Sequence, residues 1–165
     1  MLRFKDLITE VPDFPIDGVN FKDISPLLAD EGAFDECIEG MGEMVELPEY
    51  WVGIDARGFI FASALSIYFG GGVVMCRKAG KLPPTVFSHS YGTEYSEDTI
   101  QIKQGSGTAV IVDDVLATGG TLQAANYLAG TAGYNVIDNL VLIDLQYVPR
   151  VEDFNVKVKS LISYE

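Results

Sequence analysis

The feature that most constrains the fold is an apolar run followed by two acids, a loop of small residues and a helical pattern. Residues 109–112 are apolar and mostly β-branched, which predicts a buried strand. Asp113 and Asp114 come next, small residues fill 117–121, and apolar residues recur at helical spacing over 122–128. A strand that leads through such a loop into a helix is a building block of parallel α/β folds.

The loop between this strand and helix has the features of an anion-binding site. Backbone N–H groups and the positive end of the helix dipole converge in front of the first helical turn. Gly119 and Gly120 let a ligand approach the backbone closely, which a Cβ would prevent. Thr118 and Thr121 add hydroxyl donors. The loop from Ala117 to Thr121 therefore suits a phosphate monoester.

The two carboxylates before the loop suit sugar hydroxyls, because ionised Asp113 and Asp114 can only accept hydrogen bonds. A phosphate beside a diol is the pattern of a ribose 5-phosphate. The segment matches neither the nucleotide-binding P-loop nor the dinucleotide glycine fingerprint. The alternative interpretation is an ordinary strand, turn and helix with a solvated acidic end.

Composition limits the possible partners. A chain of 165 residues predicts one domain, over residues 1–165, with room for a sizeable core. The formal net charge of -13 argues against nucleic acid or an anionic membrane as a partner, since both require basic patches. Three of the eleven basic residues lie close together, at Arg77, Lys78 and Lys81. A phosphorylated ligand would need such a local positive site.

Other general features favour a cytoplasmic protein. Cys37 and Cys76 are far apart and fit no metal-ligand spacing, so both are predicted to be small buried residues. The first residues contain no apolar run typical of a signal peptide, and no segment approaches the length of a membrane span.

The remaining patterns predict an α/β fold with a central, mostly parallel sheet flanked by helices. Strand, helix and strand follow one another twice, over 50–76 and 109–145, and ligands of such sheets bind at the carboxyl ends of the strands. The predicted helices are 2–8, 31–47, 59–69 and 122–128. The predicted strands are 50–54, 73–76, 86–93, 98–103, 109–112, 136–145 and 157–162, and loops are predicted at 11–20 and 77–85.

Two further segments are candidates for the same site. Asp55, Ala56 and Arg57 follow a predicted strand and open a helix, and the arginine is suited to bidentate contacts with phosphate oxygens. The basic loop that begins at Arg77 is either a solvated charged loop or a mobile lid that brings cations onto a diphosphate and excludes water. His89, the only histidine, has no visible partner for a metal or triad role.

Several segments resemble the adenine phosphoribosyltransferases of the type I phosphoribosyltransferase family. They run in the family's order over most of the chain. These are residues 14–24, 52–59, 77–83, 94–95 and 112–121, together with the C-terminal residues 160–165. The resemblance implies a small hood formed by about 1–30 and the C-terminal segment, and a lid over about 77–98.

The resemblance also implies roles for individual residues. The ribose hydroxyls of 5-phosphoribosyl 1-diphosphate (PRPP) would bind the two adjacent acids, and its 5-phosphate the loop of residues 117–121. Glu94 would be the catalytic acid, hydrogen-bonded to the purine near N7. The diphosphate would contact Asp55, Ala56, Arg57, Arg77, Lys78 and Lys81. Adenine would stack on Phe21, be covered by Leu145 and be read by the backbone at Asn20 and Lys22.

The implied reaction is purine salvage, in which adenine and PRPP give AMP and diphosphate. Mg²⁺ is implied as a cofactor bound mainly through PRPP, and a homodimer is implied as the assembly. Ala117 stands where relatives acting on 6-oxopurines usually carry an Asp, which favours adenine. The alternatives are a phosphoribosyltransferase for xanthine, hypoxanthine or guanine, a PRPP-binding regulator without catalysis, and a structural α/β domain.

The sequence departs from the resembled pattern near the lid. Thr93 and Ser96 flank Glu94 and Tyr95 where the family usually has Leu and Gly, and Lys22 stands where Arg is common. These departures concern lid motion and base selectivity rather than the PRPP site.

Overall fold

The computed structural model describes residues 3–92 and 96–165, with only the backbone of Arg3. A 3-10 helix spans Arg3–Leu7. The strands are β1 (Thr9–Val11), β2 (Phe21–Asp23), β3 (Tyr50–Ile54), β4 (Gly72–Lys78), β5 (Phe87–Gly92), β6 (Glu97–Ile102), β7 (Gly107–Leu116), β8 (Tyr134–Leu145) and β9 (Lys159–Tyr164). The helices are α1 (Ser25–Ala29), α2 (Glu31–Gly42), α3 (Gly58–Phe69) and α4 (Gly120–Thr131).

Seven strands form the central sheet, in the order β5-β6-β4-β3-β7-β8-β9. Strands β4, β3, β7, β8 and β9 are mutually parallel, while β6 pairs antiparallel with both β4 and β5. The predicted α/β fold with a mostly parallel sheet is therefore confirmed. The antiparallel hairpin β5–β6 extends one edge of the sheet, at the segment predicted to form the lid.

Both faces of the sheet are covered, which explains why the central strands are apolar throughout. Alternate residues of β7 point to opposite faces, so Val110 and Val112 pack into one cluster with α2 and α3. Ala109 and Ile111 pack into a second cluster beneath α4. Sheets buried on both faces carry continuous apolar strands rather than an alternating pattern.

The structure corrects several predicted boundaries. Strand β7 runs to Leu116, so Asp113 and Asp114 lie inside the strand instead of after its end. Its last residues continue to pair with β8, which extends equally far. Strand β4 continues through Arg77 and Lys78, which were predicted to lie in a loop. These two residues pair with β6, a partner that the local sequence does not reveal.

The N-terminal segment contains structure that the sequence pattern missed. Residues at the two ends of the predicted loop 11–20 form a two-stranded antiparallel sheet, in which Val11, predicted as the first loop residue, lies opposite Phe21. The short helix α1 follows, beginning with a proline in its first turn. Helix α2 ends at Gly42, five residues before the predicted boundary of 47. A side chain at position 42 would collide with the ring of Phe69.

Both cysteines are buried, as predicted. Desolvation is the main reason that the pKa values of Cys37 and Cys76 rise to about 12. Both side chains therefore remain neutral thiols near neutral pH. Within residues 3–92 and 96–165, every helix is too short or too polar to cross a bilayer.

Candidate active site

Two helices begin at the carboxyl ends of neighbouring parallel strands. Strand β3 leads through residues 55–57 into α3, and β7 leads through 117–119 into α4. The strands are paired, with Gly53 opposite Val112. A Cβ on Gly58 would lie 2.6 Å from the carbonyl oxygen of Val112, so α3 approaches β7 as closely as only glycine allows. Two helix N-termini therefore face one edge of the sheet, where α/β proteins bind ligands.

A cavity of about 780 Å³ opens at this edge. Its wall brings together segments that are distant in the sequence, including seven of the predicted site residues. These seven are Asp55, Ala56, Arg57, Lys78, Asp113, Asp114 and Thr121. Tyr91 and Glu97 to Ile100, from the edge hairpin, complete one side. The cavity is large enough for a small phosphorylated metabolite.

Asp114 is the most unusual side chain of the cavity. It is only 3% exposed, and the nearest cation is Arg57, whose Nε lies 2.6 Å from Asp114 Oδ2. Despite this contact, Oδ2 has no correctly oriented hydrogen-bond donor among the described residues. Buried polar atoms are normally hydrogen-bonded, so an unmatched acceptor in a cavity wall points to a donor supplied by a ligand.

Asp113 lies beside Asp114 and differs in its surroundings. Its Oδ1 accepts a hydrogen bond of 2.9 Å from the backbone N–H of Asp114. Desolvation, and then the charge of Asp114, raise the pKa of Asp113 well above the usual range of a carboxyl group. Desolvation also raises the pKa of Asp114, against the opposing effect of Arg57. Hydroxyl donors from a bound diol would stabilise the ionised forms of both.

The loop of residues 117–121 has the shape expected of an anion-binding turn. Gly119, the N-cap residue of α4, is left-handed, with φ of 84°, and as a glycine it has no side chain that could cap the helix. An external acceptor can therefore take the place of a capping side chain at the first N–H groups of α4. Thr121 Oγ1 lies 2.9 Å from the hydroxyl of Tyr91, which connects the edge hairpin to this loop.

The three basic residues near the lid are placed differently from one another. Lys78 lines the cavity, and its backbone N–H donates to Asp55. Arg77 turns towards Asp55 Oδ2, 3.3 Å from its Nε, and donates to the carbonyl of Lys81. The side chain of Lys81 is exposed, and neither Arg77 nor Lys81 is part of the cavity wall.

The residues proposed for base recognition lie around Arg57 and the C-terminal strand. The guanidinium of Arg57 is 5.4 Å from the ring centroid of Phe21. Asn20 donates to Glu10, and the buried side chain of Lys22 contacts Glu10 and lies 3.9 Å from the ring centroid of Tyr164. The Lys22 ammonium therefore has partners of its own in Glu10 and Tyr164. Leu145, at the end of β8, is buried.

Glu94, the predicted catalytic acid, lies outside the described residues, as do Thr93 and Tyr95. The strands of the hairpin that flanks them, β5 and β6, are described and have Gly92 opposite Glu97. His89 is half-buried on β5, with its ring centroid 4.7 Å from that of Tyr127.

Sequence reasoning missed the segment that supports the loop of residues 117–121. Arg150 donates to the carbonyl oxygen of Ala117, and the backbone N–H of Val151 donates to that of Thr118 over 2.9 Å. The ring of Phe154 fills the space beside Gly119, where a Cβ would come within 2.5 Å of it. The one available signal was an arginine in the short connection after β8, in a chain with few basic residues.

Comparison with known proteins identifies the class. The phosphoribosyl transferase domain family matches residues 44–162, well over half of the chain. Those residues include the two strand-to-helix turns and the whole cavity wall. The chain therefore belongs to the phosphoribosyltransferases.

Relatives that match the chain over almost its full length show which family of phosphoribosyltransferases it belongs to. An adenine phosphoribosyltransferase of Rhodospirillum rubrum is 42% identical, over 99% of both chains. The crystal structure of the adenine phosphoribosyltransferase of Thermoanaerobacter pseudethanolicus is 36% identical, with a TM-score of 0.90, covering 99% of this chain and 100% of that one. The chain is a member of the adenine phosphoribosyltransferase family.

One similar structure was solved with ligands. The Saccharomyces cerevisiae adenine phosphoribosyltransferase, complexed with D-2,5-dideoxy-2,5-imino-altritol 1,6-bisphosphate and adenine, is 31% identical. The similarity covers 96% of each chain, with a TM-score of 0.87. A bisphosphate and a base thus bind together in a protein of this fold.

Proposed function

We propose that the protein transfers the 5-phosphoribosyl group of PRPP to adenine, which gives AMP and releases diphosphate. The observation that carries this proposal is the buried Asp114 carboxylate, which is ion-paired with Arg57 but whose Oδ2 has no oriented hydrogen-bond donor among the described residues, in a cavity faced by two helix N-termini. The site thus offers acceptors for a diol and separate donors for two anionic groups. PRPP carries one diol, one phosphate and one diphosphate.

The 5-phosphate is proposed to bind the free amides and hydroxyls of Ala117, Thr118, Gly119, Gly120 and Thr121. The ribose hydroxyls would then donate to Asp113 and Asp114, which follow each other along β7 and lie only two residues before that loop. This placement supports the proposal because a diol and a 5-phosphate are separated by only a few bonds in the sugar.

The diphosphate is proposed to bind at the N-terminus of α3. Among the described residues this helix, like α4, has no side-chain cap, and the cavity wall here contains Asp55, Ala56, Arg57 and Lys78. Arg77 and Lys81 are proposed to reach the diphosphate from the lid. Negative charge that develops on the departing diphosphate would be stabilised by these cations and amides.

Adenine is proposed to stack on Phe21, beneath Leu145, with its edge read by the backbone at Asn20 and Lys22. The ring of Phe21 offers a flat apolar surface to a purine. As the lone pair of N9 bonds to C1 of the ribose, the bond from C1 to the diphosphate oxygen breaks and the imidazole ring of the purine loses the proton carried on N7. Glu94 is proposed to accept that proton through its contact near N7, an effect worth roughly 10²–10⁴ in rate.

Mg²⁺ is proposed to enter the site with PRPP. The described residues contain no group of three potential metal ligands, so they form no complete cage for the ion. Mg²⁺ fits such a site because it commonly keeps several waters and binds through substrate phosphates and one or two carboxylates. The carboxylates of the cavity wall are Asp55, Glu97, Asp98, Asp113 and Asp114. Bound there, the ion would neutralise charge on the diphosphate.

The protein is further proposed to act in the cytoplasm as a homodimer. Helix α3 and strand β4 expose large apolar side chains, with Ile67 89% exposed and Met75 44% exposed. Exposed apolar surface of this kind supports a protein interface. Sedimentation of the purified chain would test the assembly, since a mass of one chain at micromolar concentration contradicts a stable dimer.

A panel of free bases tests the proposed reaction. Adenine, hypoxanthine, guanine and xanthine are each mixed with the protein, Mg²⁺ and PRPP, and products are identified by mass. We expect AMP and diphosphate from adenine, with the other bases turned over far more slowly. Comparable turnover of a 6-oxopurine would assign another base, and absence of any nucleotide would leave only a binding or structural role.

A further inference from the structure

The carbonyl oxygens of the loop of residues 117–121 are held from behind by one short segment. Arg150 donates to the Ala117 oxygen through Nη1, and the Val151 N–H donates to the Thr118 oxygen over 2.9 Å. The next carbonyl, of Gly119, accepts from Gln123 within the first turn of α4, also at 2.9 Å. Three consecutive carbonyls therefore have fixed directions.

Fixing a carbonyl also fixes the N–H of the same peptide. The C=O and N–H of a planar trans peptide point in opposite directions. The Thr118 N–H belongs to the peptide whose oxygen Arg150 holds, and the Gly119 N–H belongs to the peptide whose oxygen Val151 holds. Both N–H groups are thereby turned away from the 150–151 segment and towards the side of the loop that is free for an anion.

Arg150 is itself firmly placed. It pairs with Asp144 and also donates to the carbonyl oxygens of Leu145, at 3.0 Å, and Val148, at 3.2 Å. Its side chain is only 23% exposed. Nη1 faces the three carbonyl oxygens and Nη2 faces Asp144, so two nitrogens of one guanidinium join the end of β8 to the start of the loop. The single nitrogen of a lysine ammonium cannot occupy both places.

Neighbouring contacts hold the same segment against α4. Phe154 packs beside Gly119, and the backbone N–H of Asn155 donates to the side chain of Gln123 over 2.9 Å. The segment is therefore a wall behind the loop rather than a free connection. Its contacts with the loop leave the opposite side of the amides open.

We propose that Arg150 is a positioning residue, which presets the amides of Thr118 and Gly119 for the 5-phosphate without touching it. This inference depends on the proposed function, because it assumes that a sugar phosphate binds this loop. Orienting the amides before binding removes a cost that a flexible loop would incur with each ligand.

The test compares two probes that occupy different parts of the site. Ribose 5-phosphate reports on the loop of residues 117–121, and inorganic diphosphate with Mg²⁺ reports on the N-terminus of α3. Calorimetry is carried out on the full chain and on Arg150→Met, Arg150→Lys and the matched control Lys157→Met. Lys157 is exposed, and its replacement also removes one positive charge.

We expect Arg150→Met to weaken ribose 5-phosphate binding by at least about tenfold and to change diphosphate binding by less than about twofold. Arg150→Lys is expected to lose most of the same affinity, because an ammonium keeps the charge but not the fork. Lys157→Met is expected to bind both probes normally. If Arg150→Met does not fold, the binding of the two probes is compared between Arg150→Lys and the unaltered protein.

Three results would overturn the inference. These are unchanged ribose 5-phosphate binding by Arg150→Met, an equal loss of both probes, and full retention of ribose 5-phosphate binding by Arg150→Lys, which would make charge the relevant property. Failure of the unaltered protein to bind ribose 5-phosphate would instead reject the proposed function, and the inference with it.

Discussion

At the scale of single residues, the environment of Asp114 gives the most specific information about a ligand. Its carboxylate is buried beside Arg57, yet Oδ2 has no oriented donor in the described part of the chain. An ion pair alone does not satisfy the lone pairs of a buried carboxylate. A ribose hydroxyl would complete this arrangement.

Replacing Asp114 with Asn is expected to weaken PRPP binding by roughly ten- to a hundredfold, the range for loss of a charged hydrogen bond. The neutral amide of asparagine also cannot form the ion pair that Asp114 makes with Arg57. Calorimetry with PRPP and Mg²⁺ measures the effect. Asp138→Asn is the matched control, because Asp138 is also ion-paired, 2.6 Å from Lys159 Nζ, on a different strand. Equal affinities for Asp114→Asn and the unaltered protein would remove Asp114 from the diol site.

Asp113 should make the stability of the free protein depend on pH. Its pKa is raised in the folded chain, so the folded state binds a proton more tightly than the unfolded state. This contribution to stability is complete below the ordinary carboxyl pKa of about 4 and is lost as pH rises towards the raised value.

Asp113→Asn is therefore expected to flatten the fall in unfolding free energy between that ordinary pKa and neutral pH. Urea denaturation at a series of pH values measures it, with exposed Asp17→Asn as the control. Asp114 contributes in the same direction and remains in the variant, so the slope should shrink rather than vanish. An unchanged slope would contradict the assigned environment of Asp113.

Glu94 is tested through its effect on rate. Glu94→Gln is expected to lower turnover by roughly 10²–10⁴ with little change in PRPP affinity, because an amide holds the base but cannot manage its proton. Steady-state kinetics and calorimetry separate the two effects. Glu39→Gln, an exposed position on α2, is the control. Full turnover by Glu94→Gln would exclude Glu94 from the mechanism.

At the scale of elements, the turn from β7 into α4 depends on Gly119. Its φ of 84° disfavours any side chain, and Phe154 occupies the space that a Cβ would need. Gly119→Ala is expected to lower the unfolding free energy by about 1–3 kcal/mol and to weaken phosphate binding.

Gly130→Ala is the matched control for Gly119→Ala, because this glycine lies within α4 and its Cβ would meet open space. It is expected to raise the stability by about 0.5–1 kcal/mol, the usual gain of alanine over glycine in a helix. Denaturant unfolding of both variants measures the difference. A Gly119→Ala variant as stable as Gly130→Ala would contradict the described turn.

Local sequence predicted some elements better than others, for physical reasons. The apolar core strands and the turns at Asp55 and Gly119 were predictable, because burial on both faces and glycine-rich turns leave strong local patterns. The extension of β4 through Lys78 was not, since its pairing with β6 involves a distant segment. The same holds for β1 and β2, which are only three residues each.

In the candidate site, too, residues with a local sequence motif were predictable and residues without one were not. Asp113, Asp114 and Arg57 were predicted as site residues from local motifs, and the structure places all three in one cavity wall. The role in base binding given to Phe21 and Leu145 came from family resemblance alone. Arg150 was missed because its contacts are with backbone carbonyls, which leave no trace in the pattern of side chains.

At the scale of the whole molecule, a net charge of -13 is compatible with the proposed polyanionic ligand because positively charged groups are concentrated at the binding site. Arg57, Lys78 and two helix N-termini, whose N-cap residues form no side-chain cap within the described part of the chain, face the same cavity. Backbone amides add positive potential without adding basic residues, so an acidic protein can still hold phosphate. The parallel sheet supplies this arrangement by bringing the ends of β3 and β7 side by side.

A crystal structure of the protein with AMP tests this account most directly. The account predicts that the phosphorus atom lies in front of the amides of Thr118, Gly119 and Gly120, with the ribose hydroxyls on Asp113 and Asp114 and the adenine against Phe21. A phosphorus atom bound anywhere else, with that loop left empty, would contradict the central claim.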